Sequence, residues 1–167
     1  MKKSVNFVIK ESITEALLRL MAKKNFVDIS ITEITKLAGV SRISFYRNYA
    51  SKEDVLIKYM HGRAMSLFDS FGVTSNSEKL IGMFRATEGI KDIIDLIYSQ
   101  NLSYIFLQYF LFAIGSKPEQ TNHEAYRNSI VVGICFGVLD EWIKRGRQES
   151  PEDMLKVIQT TLQDFFD

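Results

Sequence analysis

Residues 30–56 read S-I-T-E-I-T-K-L-A-G-V-S-R-I-S-F-Y-R-N-Y-A-S-K-E-D-V-L, and this stretch decides the fold of the chain. It contains serines at three positions where a helix could begin, Ser30, Ser41 and Ser51. A serine hydroxyl at an N-cap accepts hydrogen bonds from the first turn, and an acidic residue three positions later can reach back to the cap. Ser30 and Ser51 have that acidic residue, whereas Ser41 lacks it and forms a cap without the full box.

These caps predict helices at about 31–38, at about 42–48 and from residue 52 onwards. Gly39 lies between the first two, and it can adopt the positive φ that a sharp corner between helices needs. Ala38 is small enough to let the two helices approach. Two short helices joined by a tight glycine turn are typical of a helix-turn-helix unit, whose second helix enters the major groove of DNA.

The second helix divides into a core face and an outer face. Phe45 and Tyr49 are four residues apart on one face, and we expect Ile34, Leu37 and Val40 to pack behind them. The outer face has two guanidinium groups, a phenol, a hydroxyl and an amide, and it has no acid. It consists of Arg42, Ile43, Ser44, Tyr46, Arg47 and Asn48.

These outer side chains suit DNA. Arginine can bind guanine edges or phosphate, asparagine can pair with adenine, and an apolar tip such as Ile43 can touch a thymine methyl group. Tyr46, Lys52 and the N–H groups of the helix capped by Ser51 suit phosphate oxygens. The alternative is an ordinary three-helix corner with a solvated polar face.

The string A-G-V-S-R-x-S-F-Y-R-x-Y-x-S-K-E-D-V-L at residues 38–56 resembles the DNA-binding domain of the TetR/AcrR family of bacterial transcriptional regulators. Thr35 and Asn25 depart from the residues that the family usually has there, alanine and glycine. The resemblance implies DNA contact by Ser30, Arg42, Ser44, Tyr46 and Lys52. The complete interface that we expect is Ser30, Thr32, Ser41, Arg42, Ile43, Ser44, Tyr46, Arg47, Asn48 and Lys52.

The charge distribution supports a nucleic-acid partner for one end of the chain. Residues 1–62 contain 11 Lys+Arg and 6 Asp+Glu, a net charge of +5, and residues 63–167 contain 10 and 14, a net charge of −4, which together give the +1 of the whole chain. A basic segment of a nearly neutral chain fits an electrostatic footprint for DNA, although five charges are a modest excess. We expect a DNA-binding domain at 1–51 and a connector helix with a regulatory and dimerisation domain at 52–167.

The remaining chain is predicted to be helical, because apolar residues recur at helical spacing and no strand-like alternation occurs. Asn25 is expected to stop the first helix in a left-handed conformation, and Phe26 to fold back onto that helix. Gly62 lies inside the connector, either as a flexible spot or as a packing contact. The prediction is an all-α fold of about nine helices, a three-helix helix-turn-helix domain followed by a ligand-binding and dimerisation bundle. The helices are expected at 3–24, 31–38, 42–48, 52–71, 78–87, 90–99, 102–114, 123–146 and from 151, with 102–114 buried on most faces.

The last two helices are more apolar than one small bundle needs. Gly133 and Gly137 are four residues apart, which would let another helix approach closely. The family resemblance implies that the two helices pair with their copies in a second chain, and residues 137–152 resemble, less strongly, a C-terminal subtype found largely in Firmicutes. The expected dimer interface is Tyr126, Ile130, Gly133, Ile134, Gly137, Leu155, Ile158, Leu162 and Phe165.

Aromatic residues in the middle of the chain allow two interpretations, a solid core or the wall of a ligand cavity. The family resemblance favours the cavity, because such proteins typically release DNA when a small molecule binds this domain. Apolar walls with a few phenols would suit a hydrophobic or aromatic effector. The candidate pocket residues are Phe84, Ile94, Ile97, Tyr98, Tyr104, Tyr109, Phe110, Phe136 and Trp142.

Other function classes have little support in the sequence. No catalytic set or cofactor motif occurs, so we expect neither an enzyme nor a cofactor. His61 and His123 could meet an acid such as Glu124 at a metal site, but two surface histidines are the simpler interpretation. The single cysteine, Cys135, is expected to be a buried thiol. The longest apolar runs span about ten residues, short of a membrane helix, and no signal peptide is evident, so a cytoplasmic protein is expected.

The sequence therefore predicts a DNA-binding transcriptional regulator that acts as a dimer on a pseudo-palindromic operator, a repressor released by a small effector. The alternative is a helical co-regulator that acts through protein–protein contacts of its C-terminal surface and binds DNA only weakly.

Overall fold

A computed structural model describes residues 5–166, with side chains up to residue 164, so Phe165 of the expected dimer interface lies outside the described side chains. Within this range the chain forms nine α-helices and no β-strand, which confirms the predicted all-α fold. None of these helices has both the length and the apolar character that crossing a bilayer requires. The helices are α1 (Val5–Met21), α2 (Ile31–Ala38), α3 (Arg42–Asn48), α4 (Lys52–Ser70), α5 (Asn76–Gly89), α6 (Lys91–Ser99), α7 (Ser103–Ile114), α8 (Asn122–Lys144) and α9 (Pro151–Phe166), with a 3-10 turn at Phe26–Asp28.

The serine caps set the starts of α2, α3 and α4. The Ser30 hydroxyl accepts from the Glu33 N–H, and the Glu33 carboxylate accepts from the Ser30 N–H at 2.9 Å, which completes the predicted capping box. Ser41 caps α3 through its hydroxyl alone. At α4 the Ser51 hydroxyl caps as predicted, but the Asp54 carboxylate accepts from the N–H of Ala50, one residue before the cap.

Gly39 ends α2 in the left-handed region, at φ 67°, and so makes the predicted corner between α2 and α3. The predicted left-handed stop at Asn25 is wrong, because Asn25 is extended, with φ −62° and ψ 142°. Helix α1 instead ends at Met21, and Asn25 leads into the 3-10 turn that buries Phe26. The expected core position of Leu37 is also wrong. Its side chain is 49% exposed, because the buried positions of the short helix α2 are Ile34 and Thr35.

The connector helix α4 joins the two halves of the molecule. It packs against α1 on one side of this junction and against α5 and α7 on the other. Helix α8 packs against α7, and α9 packs against α5. Helix α7 buries Ile105, Phe106 and Phe110, but the prediction that it is buried on most faces is wrong, since Leu111 is 48% and Phe112 is 42% exposed. Helix α7 therefore has an apolar outer face.

Candidate nucleic-acid interface

Helix α3 exposes four of the six side chains of the predicted outer face, whereas Ser44 and Asn48 are half-buried. Phe45 is fully buried and fixes the helix on the core, and the ring of Tyr46 packs edge-on against it with centroids 5.4 Å apart. Arg42, Ile43, Tyr46 and Arg47 are exposed to solvent. Because α3 contains no acidic residue, this face combines two cations with polar and apolar groups that can contact base edges and phosphates.

The corner between α2 and α3 brings further hydroxyl groups to this face. The Ser41 and Ser44 hydroxyls are 3.0 Å apart, and Ser41 is exposed. A guanidinium nitrogen of Arg42 lies 3.5 Å from the Thr32 hydroxyl oxygen, which places the start of α2 beside the start of α3. Ser30 and Thr32 are exposed at the N-terminal end of α2, where N–H groups suit a phosphate.

Glu33 is the acidic residue of α2, and local partners occupy its carboxylate. Lys24 donates to it at 2.5 Å, and the N–H and hydroxyl of Ser30 donate to its other oxygen at 2.9 and 2.8 Å. These contacts, above all the Lys24 hydrogen bond, lower the pKa of Glu33 to about 2. The negative charge beside the interface is thus paired with Lys24.

Asn48 and Lys52 already have intramolecular partners. The Asn48 side-chain amide donates to the Ser44 carbonyl at 2.8 Å, so pairing with adenine would require this side chain to turn. The Lys52 ammonium donates to the carbonyls of Phe26 and Ile29 and lies 4.4 Å from the centre of the Phe26 ring. In this structure Lys52 therefore holds the turn between α1 and α2.

The candidate pocket residues separate into groups. Tyr98, Tyr109, Phe110 and Phe136 all contact the ring of Phe106, a fully buried residue that sequence reasoning missed. Burial raises the pKa of Tyr109 to about 12. It also raises the pKa of Tyr98, whose hydroxyl donates to the Asp140 carboxylate at 2.7 Å.

The other pocket candidates are a second aromatic pair, two buried isoleucines and one surface tyrosine. Phe84 and Trp142 form a separate edge-to-face pair with centroids 5.1 Å apart, and the Trp142 indole donates to the Glu149 carbonyl at 3.1 Å. Ile94 and Ile97 are fully buried, whereas Tyr104 is 45% exposed. The structure thus gathers four of the nine candidates around Phe106, buries four others outside these ring contacts and leaves Tyr104 at the surface.

A groove of about 680 Å³ runs between α8 and α9, and five of the expected dimer residues line it. They are Gly133, Ile134, Gly137, Ile158 and Leu162. A Cβ added at Gly133 or Gly137 would meet no described residue within 4 Å. Tyr126 and Ile130 are 68% and 62% exposed on α8, and Leu155 is half-buried on α9.

The histidines do not share a described metal site. Within residues 5–166, no group of three or more His, Cys, Asp and Glu side chains is arranged to hold a metal ion. His61 packs edge-on against Phe112 at 5.1 Å, and His123 is exposed at the start of α8. Cys135 is a buried thiol, as predicted, and burial raises its pKa.

Known proteins resemble this chain in the part that contains α2 and α3. Residues 13–59 match the family described as "Bacterial regulatory proteins, tetR family". The chain is 30% identical over 143 residues to the uncharacterized HTH-type transcriptional regulator YerO of Bacillus subtilis (strain 168). That match covers 77% of this chain and 48% of YerO, so the chain spans about half the length of this curated relative.

Among solved structures, the fatty acid degradation regulator FadR from Bacillus halodurans matches with a TM-score of 0.45 and 17% identity. The match covers 97% of this chain and 96% of that one.

Proposed function

Because this chain belongs to the tetR family of bacterial regulatory proteins, we propose that it binds double-stranded DNA at a specific sequence and regulates transcription. The exposed, acid-free face of α3 is the observation that carries the proposal. Arg42 and Arg47 supply the charge, Tyr46 and Ser44 supply hydroxyl groups, and Ile43, which is 67% exposed, supplies an apolar contact for a thymine methyl group.

The rest of the predicted interface has supporting functions in this proposal. Ser30, Thr32 and Ser41 contact phosphates at the helix starts, which positions α3 without reading the sequence. Lys52 reaches phosphate only by giving up carbonyl contacts in the turn between α1 and α2. Its loss should therefore affect stability as well as DNA affinity.

A homodimer is the second part of the proposal. Its support is the groove between α8 and α9, where a Cβ added at either of two glycines would meet nothing within 4 Å among the described residues, so that the same two helices of a second copy could approach closely. Exposed Tyr126 and Ile130 extend this apolar surface along α8. A two-fold dimer would place two α3 helices about 34–36 Å apart and would therefore bind a pseudo-palindromic operator.

The third part is effector control of a repressor that acts in the cytoplasm. The aromatic cluster around Phe106 would have to open for a small hydrophobic or aromatic compound, and we assign the effector site to this cluster. The functional boundary follows the same division, with the DNA-binding domain at residues 1–51 and the connector and regulatory domain at 52–167.

The test is the double variant Arg42→Ala with Tyr46→Ala, measured against a duplex selected by the unaltered chain. Loss of a base contact and a phosphate contact should weaken specific binding by about 100-fold or more without changing the helical circular dichroism. The matched control is Arg85→Ala, which removes one positive charge from an exposed ion pair with Glu152 and should leave binding unchanged. Unchanged affinity in the double variant would contradict the proposal.

The apolar groove also favours a second candidate function, a co-regulator that binds another protein through α8 and α9. This candidate predicts weak DNA binding with a shallow dependence on salt and a tight complex with a protein partner. Steep salt dependence on one defined duplex would count against it.

A further inference from the structure

One side chain of the regulatory half reaches across to the turn between α1 and α2. Gln100 follows the last residue of α6, and its side-chain oxygen accepts from the Phe26 N–H at 2.6 Å. Its side-chain nitrogen donates to the Met21 carbonyl at 2.9 Å. Both ends of a single amide are thus bonded to backbone groups that lie 74 and 79 residues away in the sequence.

The end of α6 fixes the position of Gln100. The Leu102 N–H donates to the Ile97 carbonyl at 3.0 Å, and the Asn101 N–H donates to the Tyr98 carbonyl at 3.1 Å. With Asn101 at φ 59°, these bonds form a Schellman motif that closes the helix. Ile97 and Leu102 are buried on either side, so the backbone that bears Gln100 is anchored in the core of the regulatory half.

The turn between α1 and α2, to which Gln100 is hydrogen-bonded, is also linked to the proposed DNA-binding face. Lys24 donates to the Asp28 carbonyl at 2.9 Å and to the Glu33 carboxylate at 2.5 Å. Glu33 completes the capping box of Ser30 at the start of α2. A continuous set of backbone segments and hydrogen bonds therefore runs from the end of α6 to the N-terminal end of α2, where Ser30 is exposed.

We propose that Gln100 is a positioning residue, whose amide holds the helix-turn-helix unit (α1–α3) in the orientation that lets α3 enter the major groove. The inference rests on the proposed function. Helix α4 joins the unit to the regulatory half along the chain, and Gln100 supplies a second, non-covalent link on the side of α1. A dimer must hold two α3 helices about one DNA turn apart, so rotational freedom of either unit lowers affinity. Because of these two hydrogen bonds, a movement of the end of α6 would also move the turn between α1 and α2.

Two substitutions distinguish the contributions of the two Gln100 hydrogen bonds. Gln100→Ala removes both bonds. Gln100→Glu is nearly isosteric and keeps an acceptor for the Phe26 N–H, but it places a carboxylate oxygen against the Met21 carbonyl, where two acceptors repel. Gln108→Ala is the matched control, because Gln108 is an exposed glutamine of the neighbouring helix α7.

The experiment measures affinity for the selected duplex over a range of salt concentrations, together with hydrogen exchange of the Phe26 amide. Gln100→Ala should bind about tenfold more weakly, the size expected for the loss of two neutral hydrogen bonds. Gln100→Glu should also bind more weakly, because the repulsion at the Met21 carbonyl replaces one of the two bonds. The salt slope should stay unchanged, because the phosphate contacts are the same. The Phe26 amide should exchange faster in Gln100→Ala. Gln108→Ala should match the unaltered chain in all three readouts.

Two results would overturn the inference. Wild-type affinity in both Gln100 variants, with only a lower unfolding temperature, would make Gln100 a merely structural residue. Tighter binding would show that the link holds the unit away from DNA.

If the unaltered chain selects no duplex, the proposed function fails, and the orientation of the unit is tested without DNA. Spin labels at exposed Lys36 of α2 and Lys91 of α6, in a Cys135→Ala background, should give a broader distance distribution in Gln100→Ala. An unchanged distribution would overturn the inference by itself.

Discussion

Replacing Gly62 by alanine should stabilise the protein, because this glycine lies inside the connector helix α4 without a packing reason to be there. Its surface is exposed, and a Cβ at this position would meet nothing within 4 Å. The packing contact that could have explained Gly62 is therefore absent among the described residues. The helix propensity difference between glycine and alanine is about 1 kcal/mol. For a chain of this size, that gain should raise the unfolding temperature by about 2–4 °C.

Gly82→Ala is the matched control, because it makes the same change inside α5 with a different environment. A Cβ there would lie 3.1 Å from a ring carbon of Phe68 and 3.3 Å from a methyl group of Val73. Overpacking costs about 1–3 kcal/mol, which cancels or exceeds the propensity gain. Gly62→Ala should therefore be more stable than Gly82→Ala by about 1–3 kcal/mol.

The assay is urea unfolding followed by circular dichroism at one fixed protein concentration, because the proposed dimerisation would make the apparent stability depend on concentration. Equal stabilisation by both substitutions would show that the contacts around Gly82 are looser than the structure indicates. Destabilisation by Gly62→Ala would refute the reasoning, since it would mean that the glycine surface is covered by a group outside the described residues.

Three further predictions concern acid stability, assembly and the core. Lys24 and the cap lower the pKa of Glu33 to about 2, so its ionised form stabilises the fold above pH 4.5, and this contribution is lost as the pH falls towards 2. Glu33→Gln should therefore show a smaller fall in stability over that range in acid titrations followed by circular dichroism, and an equal fall would contradict the lowered pKa of Glu33. Gly137→Leu should leave the chain folded, because the groove is open, but should weaken dimerisation about tenfold or more in analytical ultracentrifugation; an unchanged dimer would place the interface elsewhere. Trp142→Phe should cost about 1–3 kcal/mol in urea unfolding, because it deprives the Glu149 carbonyl of its donor and shrinks a buried ring; a change below about 0.5 kcal/mol would show that the core repacks around the smaller ring.

Local sequence signals were sufficient where a helix end is determined by its own residues. Ser30 and Gly39 bound α2 as predicted, because a hydroxyl cap and a residue at positive φ act within one turn of the chain. The same rule could have found the capping boxes of Ser75 with Glu78 and Thr121 with Glu124, which start α5 and α8 slightly earlier than predicted.

Predictions failed where the deciding contacts come from distant parts of the chain. Asn25 was expected to stop α1 in a left-handed conformation, yet the turn is extended there, and its backbone groups are bonded to Gln100 and Lys52. Leu37 looks like a core residue by its type, but an eight-residue helix can bury only a narrow stripe, and Ile34 and Thr35 occupy it.

The outer face of α3 was predictable because burial of Phe45 determines which side chains remain outside. The partners of Lys52 and Asn48 were not, since both side chains could equally extend to solvent in an isolated helix. Nothing in the sequence around Gln100 predicts its hydrogen bonds, because they form only when α6 packs beside the turn between α1 and α2.

Selection from a random pool of duplexes, followed by affinity measurements against salt for the enriched sequence, tests the central claim most directly. We expect a two-fold symmetric sequence with half-sites about one helical turn apart, and an affinity whose logarithm falls by several units per tenfold rise in salt. No enriched sequence, or weak binding with a shallow salt dependence, would contradict a dimeric operator-binding regulator.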